Sequence, residues 1–140
     1  MSLEVVIDTN VLIAALRSRR GASFELLRWV GDPRWRLHCS TALLLEYEEV
    51  ARRQAAELWV QPERVEEVLE YLAANSQEHA ISFLWRPQLS DPDDDFILEL
   101  AVSAGARYLV THNGRNFAGA EGFGIEVVTP AQMLVKLKTT

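Results

Sequence analysis

The sequence predicts an α/β domain built on a parallel sheet of about five strands with helices on both faces. Two observations carry this: five strand-like segments alternate with helical patterns along the chain, and several of those segments are unbroken apolar runs. Strands buried on both faces read that way, whereas half-exposed strands alternate. At 140 residues the chain fits one domain, 1–140, and a domain of this size buries about 68–70% of its unfolded surface. Ligands of such sheets sit beyond the carboxyl ends of the strands, so polar residues that close strands are the candidates for chemistry.

"LEVVID", residues 3–8, reads as the first strand, closed by Asp8. "TNVLIAALR" follows with helical spacing at Val11, Leu12, Ala15 and Leu16. A second helix is expected in "SRRGASFELLRWV", with Ser23 as its cap. "GDP", 31–33, is a turn, "WRLHCS" a second strand, and "STALLLEYEEVARR" a helix capped by Ser40 or Thr41. "QPERVEEVLEYLAANS", 61–76, starts with Pro62 and keeps Val65, Val68, Leu69 and Leu72 on one face, and "HAISFL", 79–84, is the third expected strand. A helix entered through "SDPDDD" comes next, then the strands "ARYLVT" and "GIEVVT", and a terminal helix with Pro130 in its first turn.

Cys39 is the only cysteine, which excludes an internal disulfide and a thiolate zinc cluster. His38, His79 and His112 have no metal-binding spacing, so an oxygen-ligand site is the remaining metal option. No segment is as long and apolar as a membrane span, and the first ten residues lack the basic start of a secretory signal; a cytoplasmic protein is expected. A net charge of −6 argues against broad non-specific nucleic-acid binding but is compatible with an acidic pocket rimmed by arginines. Trp29, Trp35, Trp59 and Trp85 are expected in the core or at element edges, with an interface as the lesser role.

Four aspartates stand in the five positions 91–95. Capping by Asp91 and the helix dipole account for one or two. Four crowded carboxylates repel one another unless a cation, a proton or water offsets them. With about 100° per residue, Asp93 and Asp94 lie within roughly 50° of the buried face of Ile97, Leu100, Ala101 and Ala104, while Asp95 points about 150° away, into solvent. Glu46 lies about 75° from the centre of the buried side of its helix, where Leu43, Tyr47 and Val50 fall. Thr111, His112 and Asn113 bring polar groups to the end of another buried strand. Asp8, Glu46, Asp94 and this strand end form an oxygen-only set of the kind that suits Mg²⁺ or Mn²⁺ at phosphate sites.

"VVIDTNVLIAAL", "TALLLEYEEVARR" and "DPDDDFILELAVSAGARYLVTHNGRNFAGAEGFGIEVVTPAQML" together resemble a PIN domain, in particular the subgroup described as toxin components of toxin–antitoxin systems. The resemblance covers nearly the whole chain, with the motifs in the right order. It implies a metal-dependent endoribonuclease with RNA as substrate, a protein antitoxin as partner and a homodimer. It also implies Asp8 and Asp94 as metal ligands, Asp94 in the place of the family's third acid and Glu46 in that of its helix Glu, and Asn113 in the position of a further site residue, with Asn10, Asp91 and Thr111 in support. Asn113 and Asn116 stand where Asp is common in the family, and both lower the negative charge of the site. If catalytic, Glu46 would bind or deprotonate the metal's water, and Arg17, Arg19, Arg20, Arg52, Arg53 and Arg115 are candidates for the RNA backbone.

Two other classes compete. A catalytically weak or inactive domain that binds RNA or a partner is compatible with Asn113 and the acidic balance. A phosphotransfer enzyme needs a second Asp or a Lys near the first strand, but "DTN" has no Asp two positions on and both lysines lie in the terminal helix. An EF-hand fails at Phe96, where the loop needs Gly, and at Val102, where it needs Glu.

Overall fold

The structure, a computed structural model, describes residues 2–79 and 92–140, and only the backbone for 92–95. Its strands are β1 (Leu3–Ile7), β2 (Trp35–Ser40), β3 (Ser76–His79), β4 (Tyr108–Val110) and β5 (Glu126–Val128). They form a single sheet in the order β3-β2-β1-β4-β5, with every pairing parallel. The helices are α1 (Thr9–Arg17), α2 (Ala22–Arg28), α3 (Thr41–Gln54), α4 (Pro62–Ala74), α5 (Pro92–Ser103) and α6 (Pro130–Lys138). This is the α/β architecture that the apolar runs predict.

Val5 and Val6 are adjacent in β1 and therefore point to opposite faces. Both are fully buried, so the sheet is covered on each side. Helix α5 packs against β1, β2 and β4, while α1 packs on α2 and α3, α3 on α4, and α2 on α6. Since all strands run the same way, their carboxyl ends share one edge, and β1 at the centre of the sheet delivers Asp8 to it.

Local chemistry fixes the helix ends. Ser40 caps α3, its hydroxyl accepting from the Leu43 amide at 3.1 Å. Thr129 and Gln132 form a reciprocal capping box ahead of Pro130 in α6. The chain leaves α5 through Gly105, whose φ of +68° is in the left-handed region that glycine adopts without steric cost.

Several expectations need correction. Helix α2 begins at Ala22 with Gly21 as N-cap, and Ser23, expected there, is buried inside the helix with its hydroxyl 2.8 Å from His112 Nε2. Helix α4 stops at Ala74, and β3 begins at Ser76. "SQEH" carries no apolar signal because β3 is an edge strand, half exposed and held by backbone pairing to β2. The strand expected at 79–84 lies outside the described residues beyond His79. The buried side of α3 is Leu43, Tyr47 and Ala51 rather than Val50, and in α5 Leu98 and Glu99 are buried beside the predicted apolar positions. Among the described residues Glu99 Oε1 has no hydrogen-bond partner.

Strand pairing also joins histidines that are far apart in sequence. His38 Nδ1 lies 2.7 Å from His79 Nε2, and His38 Nε2 lies 2.8 Å from Glu4 Oε1. Burial raises the pKa of Glu4, but hydrogen bonds from His38 and Ser2 outweigh it and hold the carboxyl below its ordinary range.

Removing the α3 cap leaves the Leu43 amide without its acceptor in a buried place. Ser40→Ala is therefore expected to lower unfolding free energy by about 1–2 kcal/mol, measured by urea denaturation. An effect below a few tenths would mean that backbone pairing, not the cap, sets the start of α3.

Candidate active site

Asp8 occupies the N-cap position of α1, the ordinary place for an aspartate, yet its side chain makes no capping hydrogen bond. Its Oδ2 instead accepts from Thr111 Oγ1 at 2.8 Å, across the β1–β4 boundary. Capping alone therefore does not account for Asp8, which is 8% exposed and whose carboxylate meets Thr111 as well as the Thr9 and Asn10 amides at the start of α1.

Thr111 is the centre of a small network. Its hydroxyl donates to Asp8 and accepts from Asn10 Nδ2 at 3.2 Å and from the Asn113 amide at 3.0 Å. Asn10 Oδ1 accepts from the His112 amide at 3.2 Å, so the start of α1 is tied to the loop after β4 at two points. The contact between His112 and Ser23 adds α2.

Glu46 arrives from α3. Thr9 Oγ1 donates to its carboxylate, and the next residue, Tyr47, donates its buried hydroxyl to the Ile7 carbonyl. The end of β1 and the first half of α3 are thus held together on both sides of Asp8. Burial pushes the Tyr47 phenol well above its ordinary pKa, so it stays a neutral donor.

Asp8, Asn10, Glu46, Asn113, Asn116 and Ile97 line a cleft of ≈ 630 Å³, which Arg17 and Gln54 border. Burial raises the Asp8 pKa, against the opposing effects of the hydrogen bonds from Thr111 and from the Thr9 and Asn10 amides and of His112. The described side chains thus bring together Asp8, Glu46, Asn10, Thr111 and Asn113. Asp91 lies outside the described residues, and of Asp94 only the backbone, in the first turn of α5, is described. Ile97, one turn further along α5, lines the cleft.

Among the described residues no three His, Cys, Asp or Glu side chains form a group able to hold a metal. The donors present are two carboxylates with hydroxyl and amide oxygens, a hard set suited to Mg²⁺ or Mn²⁺ and unsuited to thiophilic ions. Sequence reading missed the Thr9–Glu46 and Ser23–His112 contacts and the place of Gln54 beside the cleft. The four-residue step from Glu46 through Val50 to Gln54 is the signal that marks Gln54.

The model of the PIN domain matches residues 4–115. The chain belongs to the PIN domain family. No curated protein matches it. PIN domains are generally nucleases that act on RNA and typically use divalent metals. Among the described residues no helix is long and apolar enough to cross a membrane.

Since the folded-state pKa of Asp8 lies above its unfolded value, the fold favours the protonated acid. The stabilisation this gives is full below the unfolded pKa and is lost as pH rises through the folded one. Asp8→Asn keeps an acceptor for Thr111 and removes the buried charge. In metal-free buffer the variant should melt higher than the parent at neutral pH, with the difference shrinking as pH falls into the aspartate range. A lower melting temperature throughout would show that the negative charge itself supports the fold.

Proposed function

We propose that this PIN domain is a metal-dependent endoribonuclease that hydrolyses RNA phosphodiesters, with Asp8, Glu46, Asp94 and Asn113 as its site residues. The observation that carries the reading is the buried Asp8 carboxylate, bound across the sheet by Thr111 in a cleft it shares with Glu46. Asp94 completes the acidic set on the strength of its place three residues before Ile97.

Asp8 and Asp94 would hold Mg²⁺ or Mn²⁺, with Asp91 in support. Such an ion lowers the pKa of a bound water and offsets charge developing on the phosphate. The protein's own groups do the positioning. Thr111 fixes the rotamer of Asp8, Asn10 fixes Thr111, and Thr9 orients Glu46, which takes the proton of the attacking water. Asn113 contributes a neutral oxygen at the rim. The functional unit is the whole chain, 1–140, because β5 pairs with β4 and α6 packs on α2 beyond the matched residues. The same reading makes it a cytoplasmic toxin paired with a protein antitoxin and acting as a homodimer.

Purified protein should cleave mixed single-stranded RNA with Mg²⁺ or Mn²⁺ and not with chelator. Asp8→Asn and Asp94→Asn should each abolish cleavage by removing a charged metal ligand, while Asp95→Asn keeps most of it. Equal loss in all three would put Asp95 in the site, and cleavage in chelator would sink the mechanism.

The alternative, a catalytically weak domain that binds RNA or a partner, is favoured by one observation: Asn113 and Asn116 put neutral amides where the cleft could carry carboxylates. Each added carboxylate strengthens divalent binding. Asn113→Asp should tighten Mn²⁺ binding in titration calorimetry and raise the cleavage rate; unchanged affinity and stoichiometry would place Asn113 outside the metal's surroundings and favour the binding-only reading.

A further inference from the structure

Positive charge on this chain is unevenly paired. Arg34, Arg36, Arg52, Arg53, Arg64, Lys136 and Lys138 each lie within ion-pair distance of a carboxylate, Arg64 of Glu67 at 3.9 Å. Arg17, Arg19, Arg20, Arg28, Arg107 and Arg115 make no ion pair with any described residue, and the first four cluster on α1, α2 and the turn between them.

Three of them, Arg17, Arg19 and Arg28, line a groove of ≈ 750 Å³ together with Arg64 and Trp59. Its one acid is Glu67, and its floor carries Leu16, Phe24 and Leu27. The groove meets the acidic cleft at Arg17, which borders both. Helix α3 and the turn after it run the same way: Glu46, Val50 and Gln54 line the cleft and Leu58, the next four-residue step, lines the groove. From Glu46 to Trp59 that course measures on the order of 20 Å.

Trp59 itself is anomalous twice over. It is 93% exposed, and its φ is +56°. It closes its helical turn with the hydrogen-bond pattern that Gly105 uses after α5. Val60 N–H reaches Ala55 O at 3.0 Å, as Ala106 N–H reaches Ala101 O at 2.9 Å. Glycine takes this backbone freely, whereas a tryptophan there is strained and gains no burial. A side chain that strains the fold and packs on nothing has its use outside the fold.

We propose that the groove is a track for the single-stranded RNA that flanks the scissile phosphodiester. Trp59 is the platform on which a base stacks, and Arg19, Arg28 and Arg64 contact phosphates on the way past Arg17 into the cleft. The inference rests on the nuclease reading of the Asp8 site. A phosphodiester at Asp8 belongs to a longer chain, and the unpaired arginines beside Arg17 give that chain a cationic path. Trp59, almost fully exposed among arginines with the half-exposed Tyr71 further along the same groove, suits unpaired bases, whose faces are free to stack, rather than a duplex.

The test is fluorescence anisotropy of a fluorescein-labelled single-stranded RNA of about 12 nucleotides, within the range single-strand binders cover. It is run in chelator on the full-length Asp8→Asn protein, so that no cleavage intervenes. Adding Trp59→Gly should weaken binding about tenfold or more and remove most tryptophan quenching by RNA, with the melting temperature unchanged or raised. Adding Arg19→Gln and Arg28→Gln should weaken binding and reduce its log–log salt slope by about one to one and a half. Unchanged RNA affinity in both folded variants overturns the track. So does Trp59-dependent binding of an acidic amphipathic peptide where RNA fails to bind. Cleavage by the Asp8 protein with Mn²⁺ is scored separately: cleavage with Trp59-independent binding sinks the track alone, and Trp59-dependent binding without cleavage sinks the nuclease reading alone.

Discussion

Parallel register between β1 and β4 is the constraint on which the candidate site depends. Ile7 stands opposite Val110, so the next residues, Asp8 and Thr111, leave the sheet side by side and their side chains meet. The Asp8 amide still donates to the Val110 carbonyl at 2.9 Å, which extends the ladder up to the site itself. A slip of one residue would send Asp8 to the other face of the sheet, away from Thr111. Burial of Val5, Val6, Leu109 and Val110 makes that slip costly, so the core residues of the central strands also set the geometry of the polar ones. Tyr47 adds α3 to the same point by bonding the Ile7 carbonyl, and Glu46 follows because it is the neighbouring residue.

Legibility in the sequence followed burial. The central strands could be read because both faces are covered, which leaves an uninterrupted apolar run with a polar residue at its end; Asp8 and Thr111 were found that way. Strand β3 could not be, since an edge strand whose backbone does the pairing tolerates "SQEH". Ser40 and Pro130 announced helix starts through local chemistry, whereas Ser23 misled because a hydroxyl near a helix start serves equally as a cap or as a buried partner for a distant histidine. His38 and His79 looked scattered because cross-strand neighbours have no fixed sequence spacing. What Asp8 meets besides the start of its helix was open to sequence reasoning and is a matter of tertiary geometry. Trp59 was expected in the core or at an edge, but it stands almost fully exposed in the turn after α3.

Local rules are obeyed through most of the molecule. Ser40 and Thr129 cap their helices, a glycine takes the left-handed position after α5, and most surface cations find acids. That consistency gives weight to the exceptions. Asp8 is a buried carboxylate bound by a hydroxyl from the neighbouring strand end, and Trp59 is a bulky side chain in a glycine conformation with little burial to repay it. They violate unrelated rules, one electrostatic and one steric, so a single defect of folding does not explain both. Asp8 shares the cleft with Glu46 of α3, Trp59 stands in the turn after α3, and Arg17 lines both clefts. A polyanion explains that arrangement where either half alone would not. An acidic pocket repels phosphate unless a cation offsets its carboxylates, and on the proposed reading arginines just outside it would hold the flanking phosphates without neutralising Asp8. Separating the two signs along α3 would then let the same chain grip a nucleic acid at one end and act on it at the other.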